Sequence, residues 1–155
     1  MRILVQRVSR AAVHIDGRQT GDIGRGLLLF VGITETDNAH IADAMARKVV
    51  NLRVFPDPEG KSHFDRTVLD EGGELLVVSQ FTLYADCRKG RRPSFTLASE
   101  PRKAENLIED LVRCLREYSL KVETGRFGAK MDVSLVNDGP VTIWLDSAEV
   151  LPASK

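Results

Sequence analysis

The sequence predicts an α+β fold: a single domain over residues 1–155, with a curled, mostly antiparallel sheet or barrel and two main helices. Three observations lead there. Segments with strand character come in consecutive runs at both ends of the chain. Only two stretches carry apolar residues at helical spacing. Turn signals rich in Gly, Pro and Asp separate these pieces, with no repeat, low-complexity tract or linker among them. A chain of 155 residues is long enough to bury a core as one domain.

The first strands are "RILVQRV", which alternates, and "AAVHI", closed by Asp16-Gly17 as a two-residue hairpin turn. "GLLLFVGI" is a continuous apolar run of strand length, the pattern of a strand covered on both faces. Asp37 is in place to cap the first helix, whose face is Ile41, Met45, Val49 and Leu52. "FPDPEGK" reads as a surface loop and "ELLVVSQF" as another buried strand. The second helix starts near Ser99, with Pro101 suited to its first turn. It runs to about Tyr118, with Ala104, Leu107, Ile108, Leu111 and Leu115 as its buried stripe. Three more strands follow, "LKVETG", "MDVSLV" and "VTIWLD", giving seven or more in all. The last opens after Gly139-Pro140. Proline has no N–H for a sheet ladder, so the local reading is a turn that ends one strand and begins the next.

Composition excludes several classes of function. The chain is 43% hydrophobic and 28% charged with a formal net charge of zero, so no global basic field draws in nucleic acid. Any phosphate contact must be a local patch. Cys87 and Cys114 show neither disulfide nor zinc spacing, which fits a reducing cytoplasm. "MRILVQRV" is too short and too charged for a signal peptide, and "GLLLFVGI" is too short to span a bilayer. A soluble, cytoplasmic protein is expected.

No GxSxG elbow, HExxH or Walker loop is present, and His14, His40 and His63 are scattered, so neither a triad nor a metal site is expected. Two segments remain. In "SQFTLYAD", Ser79, Gln80 and Thr82 interrupt an apolar strand at its end, where their polar groups either hold a turn or face a ligand. Ser79 or Thr82 acting as a nucleophile would need a base that the neighbourhood does not supply. "RKGRRPSF" carries Arg88, Lys89, Arg91 and Arg92 around a glycine, with Phe95 beyond. That pattern fits either a solvated loop or a phosphate-contacting one.

Taken together, "SQFTLYAD", "RKGRRPSF" and "GRFGAKMDVSLVNDGPVT", with "QRVSRAAV" and "GLLLFVGI" before them, resemble the D-aminoacyl-tRNA deacylases. The likeness runs from the first strand to about Trp144. It implies hydrolysis of the ester in D-aminoacyl-tRNA, and in achiral glycyl-tRNA, with L-aminoacyl-tRNA rejected. It further implies a homodimer that needs no cofactor and acts on the 3′-terminal adenosine and acceptor end of tRNA. The Gly139-Pro140 peptide is expected to be cis and donated in trans into the partner's active site. There its carbonyls leave room for a D side chain and exclude an L one. Arg7 is expected to orient that segment.

For such an ester hydrolysis the backbone N–H groups near Phe81 and Thr82 are the candidates to stabilise the oxyanion, with Ser79 and Gln80 shaping the pocket. Phe127 and Met131 match the adenine-contacting positions, although Met131 also reads as strand core. Arg91 is expected to meet acceptor-stem phosphates. Two other readings stay open: a non-catalytic RNA-binding module, and a small esterase acting through Thr82 or Ser79.

Overall fold

The computed structural model describes residues 1–151. Six strands form one mixed sheet: β1 (Arg2–Ile15), β2 (Arg18–Ile23), β3 (Gly26–Gly32), β4 (Glu74–Ser79), β5 (Val122–Thr124) and β6 (Asp132–Asp146). Two main helices, α1 (Ala39–Val50) and α2 (Pro101–Arg116), are joined by a short α3 (Ser147–Val150) and a 3₁₀ turn (Phe81–Tyr84). The sheet runs β2-β1-β3-β4-β5, with β6 along the other side of β1. The three pairings made by β1 are antiparallel, and the β3–β4 and β4–β5 pairings are parallel. The expected α+β class and the curled sheet are therefore present. Those parallel pairs follow from the runs in β3 and β4, which are apolar on both faces and suit a sheet covered on both sides.

The two faces carry two cores. Ile3, Val5, Leu27, Leu29, Leu75 and Val77 pack toward α1 and α2, together with Met45, Val49, Leu111 and Leu115. Val8, Ala11, Val13, Leu28, Leu76 and Val78 fill the opposite, concave side. "RILVQRV" and "AAVHI" are one strand instead of two. Its pairing with β6 shifts register between Gln6 and Val8 and again between Val8 and Arg10. Odd-numbered positions therefore face the helices before these irregularities and the concave core after them. β6 makes the same change of side: Val133 and Leu135 pack on the concave core, and Val141, Ile143 and Leu145 on the helical one. Gly139-Pro140 lies between these two halves. What reads locally as a turn between two strands is an irregularity inside one long strand, and the total is six strands.

The first helix is capped by Asn38, whose Oδ1 accepts from the Ile41 N–H at 3.0 Å, and not by Asp37. Asp37 is committed elsewhere. Its buried carboxylate accepts from the N-terminal ammonium of Met1 and from the Thr34 N–H at 2.8 Å. Glu100 caps α2, one residue beyond the expected start, with Pro101 in the first turn as expected. Its Leu107, Leu111 and Leu115 are buried, whereas Ala104 and Ile108 from the same stripe are only half-buried. They line a cavity.

Candidate active site

The parallel edge of β3 and β4 delivers the first motif. β4 ends at Ser79, and the chain turns immediately into the 3₁₀ helix of Phe81–Tyr84. That turn lies hard against the end of β3. A side chain on Gly32 would come to 3.0 Å from the Gln80 carbonyl and 3.1 Å from Leu83, so anything larger than glycine would have to push the turn outward. Behind the turn, Arg2 donates from Nη1 to the Leu83 carbonyl at 2.9 Å and lies 4.4 Å over the Tyr84 ring. Arg2 is held in turn by Asp146, at 2.8 Å from its Nε. Burial pushes the Asp146 carboxyl up, but the Arg2 hydrogen bond, the Ala148 N–H and nearby positive charge outweigh it and leave the group below its ordinary range. Burial, with Asp37 and Asp146 close by, raises the Tyr84 phenol and keeps it neutral.

A helical turn leaves its first N–H groups without partners inside it. Among the described residues the N–H groups of Phe81 and Thr82 donate to no backbone or side-chain acceptor. The Gln80 side chain donates to the Thr82 hydroxyl. Beside this turn lies a cavity of about 390 Å³. Val31, Ile33, Phe95, Ala104 and Ile108 make its apolar wall, with Ser79, Gln80, Phe81 and Phe127 around them. Phe81, exposed at the mouth, meets Phe95 edge-to-face at 4.9 Å between ring centres. A wider groove of about 910 Å³ beside α1 and α3 contains none of residues 79–82 and is the weaker candidate.

Of the expected site residues, Ser79, Gln80, Phe81 and Phe127 line the cavity, and Thr82 follows Phe81 in the same turn but is not in the lining. Met131 is not in that lining. It packs on the concave core, its sulfur occupying the space where a side chain on Gly125 would be. Arg91 lies in the exposed loop outside the lining. In that loop Arg88 forms a two-pronged pair with Asp86 and holds its carboxyl at about 2. Phe95, read with the basic loop, and Ala104 and Ile108, read as helix stripe, also line the cavity. The half-buried members of the α2 stripe were the available signal, since α2 must cover something besides the core.

Gly139 and Pro140 are exposed and also outside the cavity lining, and the bond between them is cis. Their base is tightly held. Arg7, buried, donates from Nη1 to the Val54 carbonyl at 2.5 Å and from Nε to the Asp138 carbonyl at 3.0 Å. The Asn137 side chain accepts from the Val141 N–H at 2.8 Å and donates to the Thr142 hydroxyl at 2.9 Å. Gly139 has φ +137°, which L side chains rarely adopt, and a side chain there would come to 2.8 Å from Val141 Cγ2 and 3.0 Å from Arg7 Nη2. Among the described residues no group of three or more His, Cys, Asp or Glu stands close enough to hold a metal ion, and no helix is long and apolar enough to cross a membrane.

Known proteins share this arrangement across nearly the whole chain. A protein named D-aminoacyl-tRNA deacylase from Thermomicrobium roseum is 56% identical over 97% of this chain and 96% of its own length. One of the same name from Thermosipho africanus is 51% identical over 97% of this chain and 99% of its own length. A solved structure titled c-Myc DNA Unwinding Element Binding Protein superposes with a TM-score of 0.88 at 43% identity, covering 94% of this chain and 98% of that one. The family model described as D-Tyr-tRNA(Tyr) deacylase matches residues 4–146, and the chain belongs to that family.

Proposed function

We propose that this protein hydrolyses the ester of D-aminoacyl-tRNA, and of glycyl-tRNA, while sparing L-aminoacyl-tRNA. The observation that carries the reading is the pair of unpartnered N–H groups, Phe81 and Thr82, in the turn that brings Phe81 to an apolar cavity bordered by Phe127. The terminal adenosine occupies the cavity, with its base against Phe127 and the aliphatic wall. Water adds to the ester carbonyl carbon, negative charge collects on the carbonyl oxygen, and the two N–H groups stabilise it. Collapse breaks the bond to the ribose oxygen, which takes up the proton that water released. The neighbouring ribose hydroxyl relays that proton, so no side-chain base is required. Ser79 and Gln80 shape the wall, and Gln80 fixes the Thr82 hydroxyl.

The chiral filter comes from a second copy of the chain in a homodimer. Gly139 and Pro140 are anchored at their base, open at their tip and outside their own chain's cavity, which supports delivery to a partner. β6 is an edge strand with exposed Val136 and Trp144, a surface suited to such a contact. The carbonyls of Gly139 and Pro140 stand beside the substrate's α-carbon, so a D side chain points to open space and an L one collides. Glycine, with nothing to exclude, is cleaved. The unpaired cations of the 88–92 loop, Arg91 among them, reach acceptor-stem phosphates. The cytoplasm is where such a substrate is found.

The test is purified protein with matched D-tyrosyl- and L-tyrosyl-tRNA, in the presence of EDTA. Release from the D ester alone is expected. Equal cleavage of both would remove the Gly139-Pro140 filter, and cleavage of neither would remove the enzyme. Thr82→Ala should keep part of the activity, because the N–H remains. Complete loss would point to a covalent Thr82 instead.

A further inference from the structure

A second depression lies beside the cavity. It has about 610 Å³ and shares Ser79, Ile108 and Phe127 with its neighbour, so the two lie side by side with Phe127 at their border. Their chemistry differs. The first is walled by apolar side chains, whereas the second carries five charged residues, Glu105, Glu109, Arg113 and Arg116 from α2 and Arg126 from the loop after β5. The charges are not equally free. Arg113 is engaged with Asp110 at 2.7 Å and Glu117 at 3.8 Å, and Arg116 donates to the Val122 carbonyl at 3.1 Å. Arg126 is exposed and has no carboxylate partner among the described residues.

Because the chain as a whole carries no net charge, an unpaired guanidinium beside a ligand cavity is a local attraction for phosphate. Glu105 and Glu109 lie one helical turn apart and offer acceptors in the same depression. A carboxylate accepts well from the exocyclic amine of cytosine, and a guanidinium suits the phosphodiester. One nucleotide presents both groups. tRNA chains end in two cytidines before the terminal adenosine, so the adenosine's neighbour matches in order as well as in kind.

We infer that this depression is the subsite for the nucleotide preceding the terminal adenosine, with Arg126 on its phosphate and Glu105 and Glu109 toward its amine. The inference rests on the reading of the cavity as the adenosine site. Its contribution is to affinity for the tRNA chain and not to the chemical step.

The experiment compares a D-aminoacyl-tRNA with the matching D-aminoacyl-adenosine, which has no phosphate. If the wild-type protein cleaves neither ester, the reading of the cavity fails and the subsite falls with it. Given wild-type cleavage of both, Arg126→Gln should raise KM for the tRNA ester about tenfold at constant kcat. It should also make the salt dependence of binding shallower by about one unit of slope. The adenosine ester should be unaffected, and Arg126→Lys should recover most of the lost affinity. Equal losses on both esters, or no loss on the tRNA ester, would overturn the subsite.

Discussion

Arg2 and Arg7 leave the same strand, and each holds one of the two motifs, but in different surroundings. Arg2 sits behind the turn that begins at Phe81, partly open to solvent, between Tyr84 and Trp144 at 4.4 and 5.4 Å. Arg7 sits beneath the segment that carries Gly139-Pro140 and is 8% exposed. The turn held by Arg2 adjoins a cavity in its own chain. The segment held by Arg7 is fixed at its base and open at its tip. The contrast is one of placement: one motif adjoins a cavity of its own chain, and the other stands open and outside that cavity.

Removing Arg7 should have the largest effect. Arg7→Met strands the Val54 and Asp138 carbonyls and takes away one of two cationic partners of the Asp138 carboxylate. A loss of about 3 kcal/mol is expected, read as a lower urea midpoint at constant slope. The D over L preference should fall with it. An unchanged preference in the folded variant would mean that Arg7 supports the core alone.

Arg2→Met should be milder and fall on rate. Its half-buried ion pair with Asp146 is a single pair of charges near the surface, whereas its hydrogen bond to Leu83 fixes the turn. We expect kcat to drop about tenfold with KM nearly constant, equivalent to about 1.4 kcal/mol at the transition state. A rise in KM with kcat preserved would instead make Arg2 a binding residue. The smallest effect belongs to the basic loop. Arg88 lowers the Asp86 carboxyl to about 2, so the pair is formed above the ordinary carboxylate value of 3.8 and opens only as pH falls through about 2. Side-chain carboxyl titration by NMR should find Asp86 ionised throughout pH 4–8. A midpoint near 4 would show that the loop is not held by this pair.

The sequence announces these parts unequally. Helical spacing locates both main helices, and alternation or continuous apolar runs locate the strand segments other than β2, which only the Asp16-Gly17 turn announces. What alternation cannot reveal is that β3 and β4 pair in parallel, since both are apolar on both faces. Nor does it show that Gly139-Pro140 lies within a strand, because β1 supplies the matching irregularity more than 120 residues earlier. Asp37 looks like a helix cap by type, but its partner Met1 is distant in sequence. In the site, Ser79, Gln80, Phe81 and Phe127 were legible as motif residues, whereas their shared cavity depends on Ala104 and Ile108 of α2. Arg2 was invisible: nothing in "MRILV" says that its guanidinium reaches a turn formed more than 80 residues later.

The change of side along β1 has a consequence for how the molecule comes apart. One continuous strand contributes Ile3 and Val5 to one core and Ala11 and Val13 to the other, and β6 repeats the arrangement beside it. Neither core can be cut away with its own strands intact, and loosening one pulls on the register of the other. Loss of structure is accordingly expected as a single concerted event, with no half-molecule left standing to keep the cavity beside Phe81 intact.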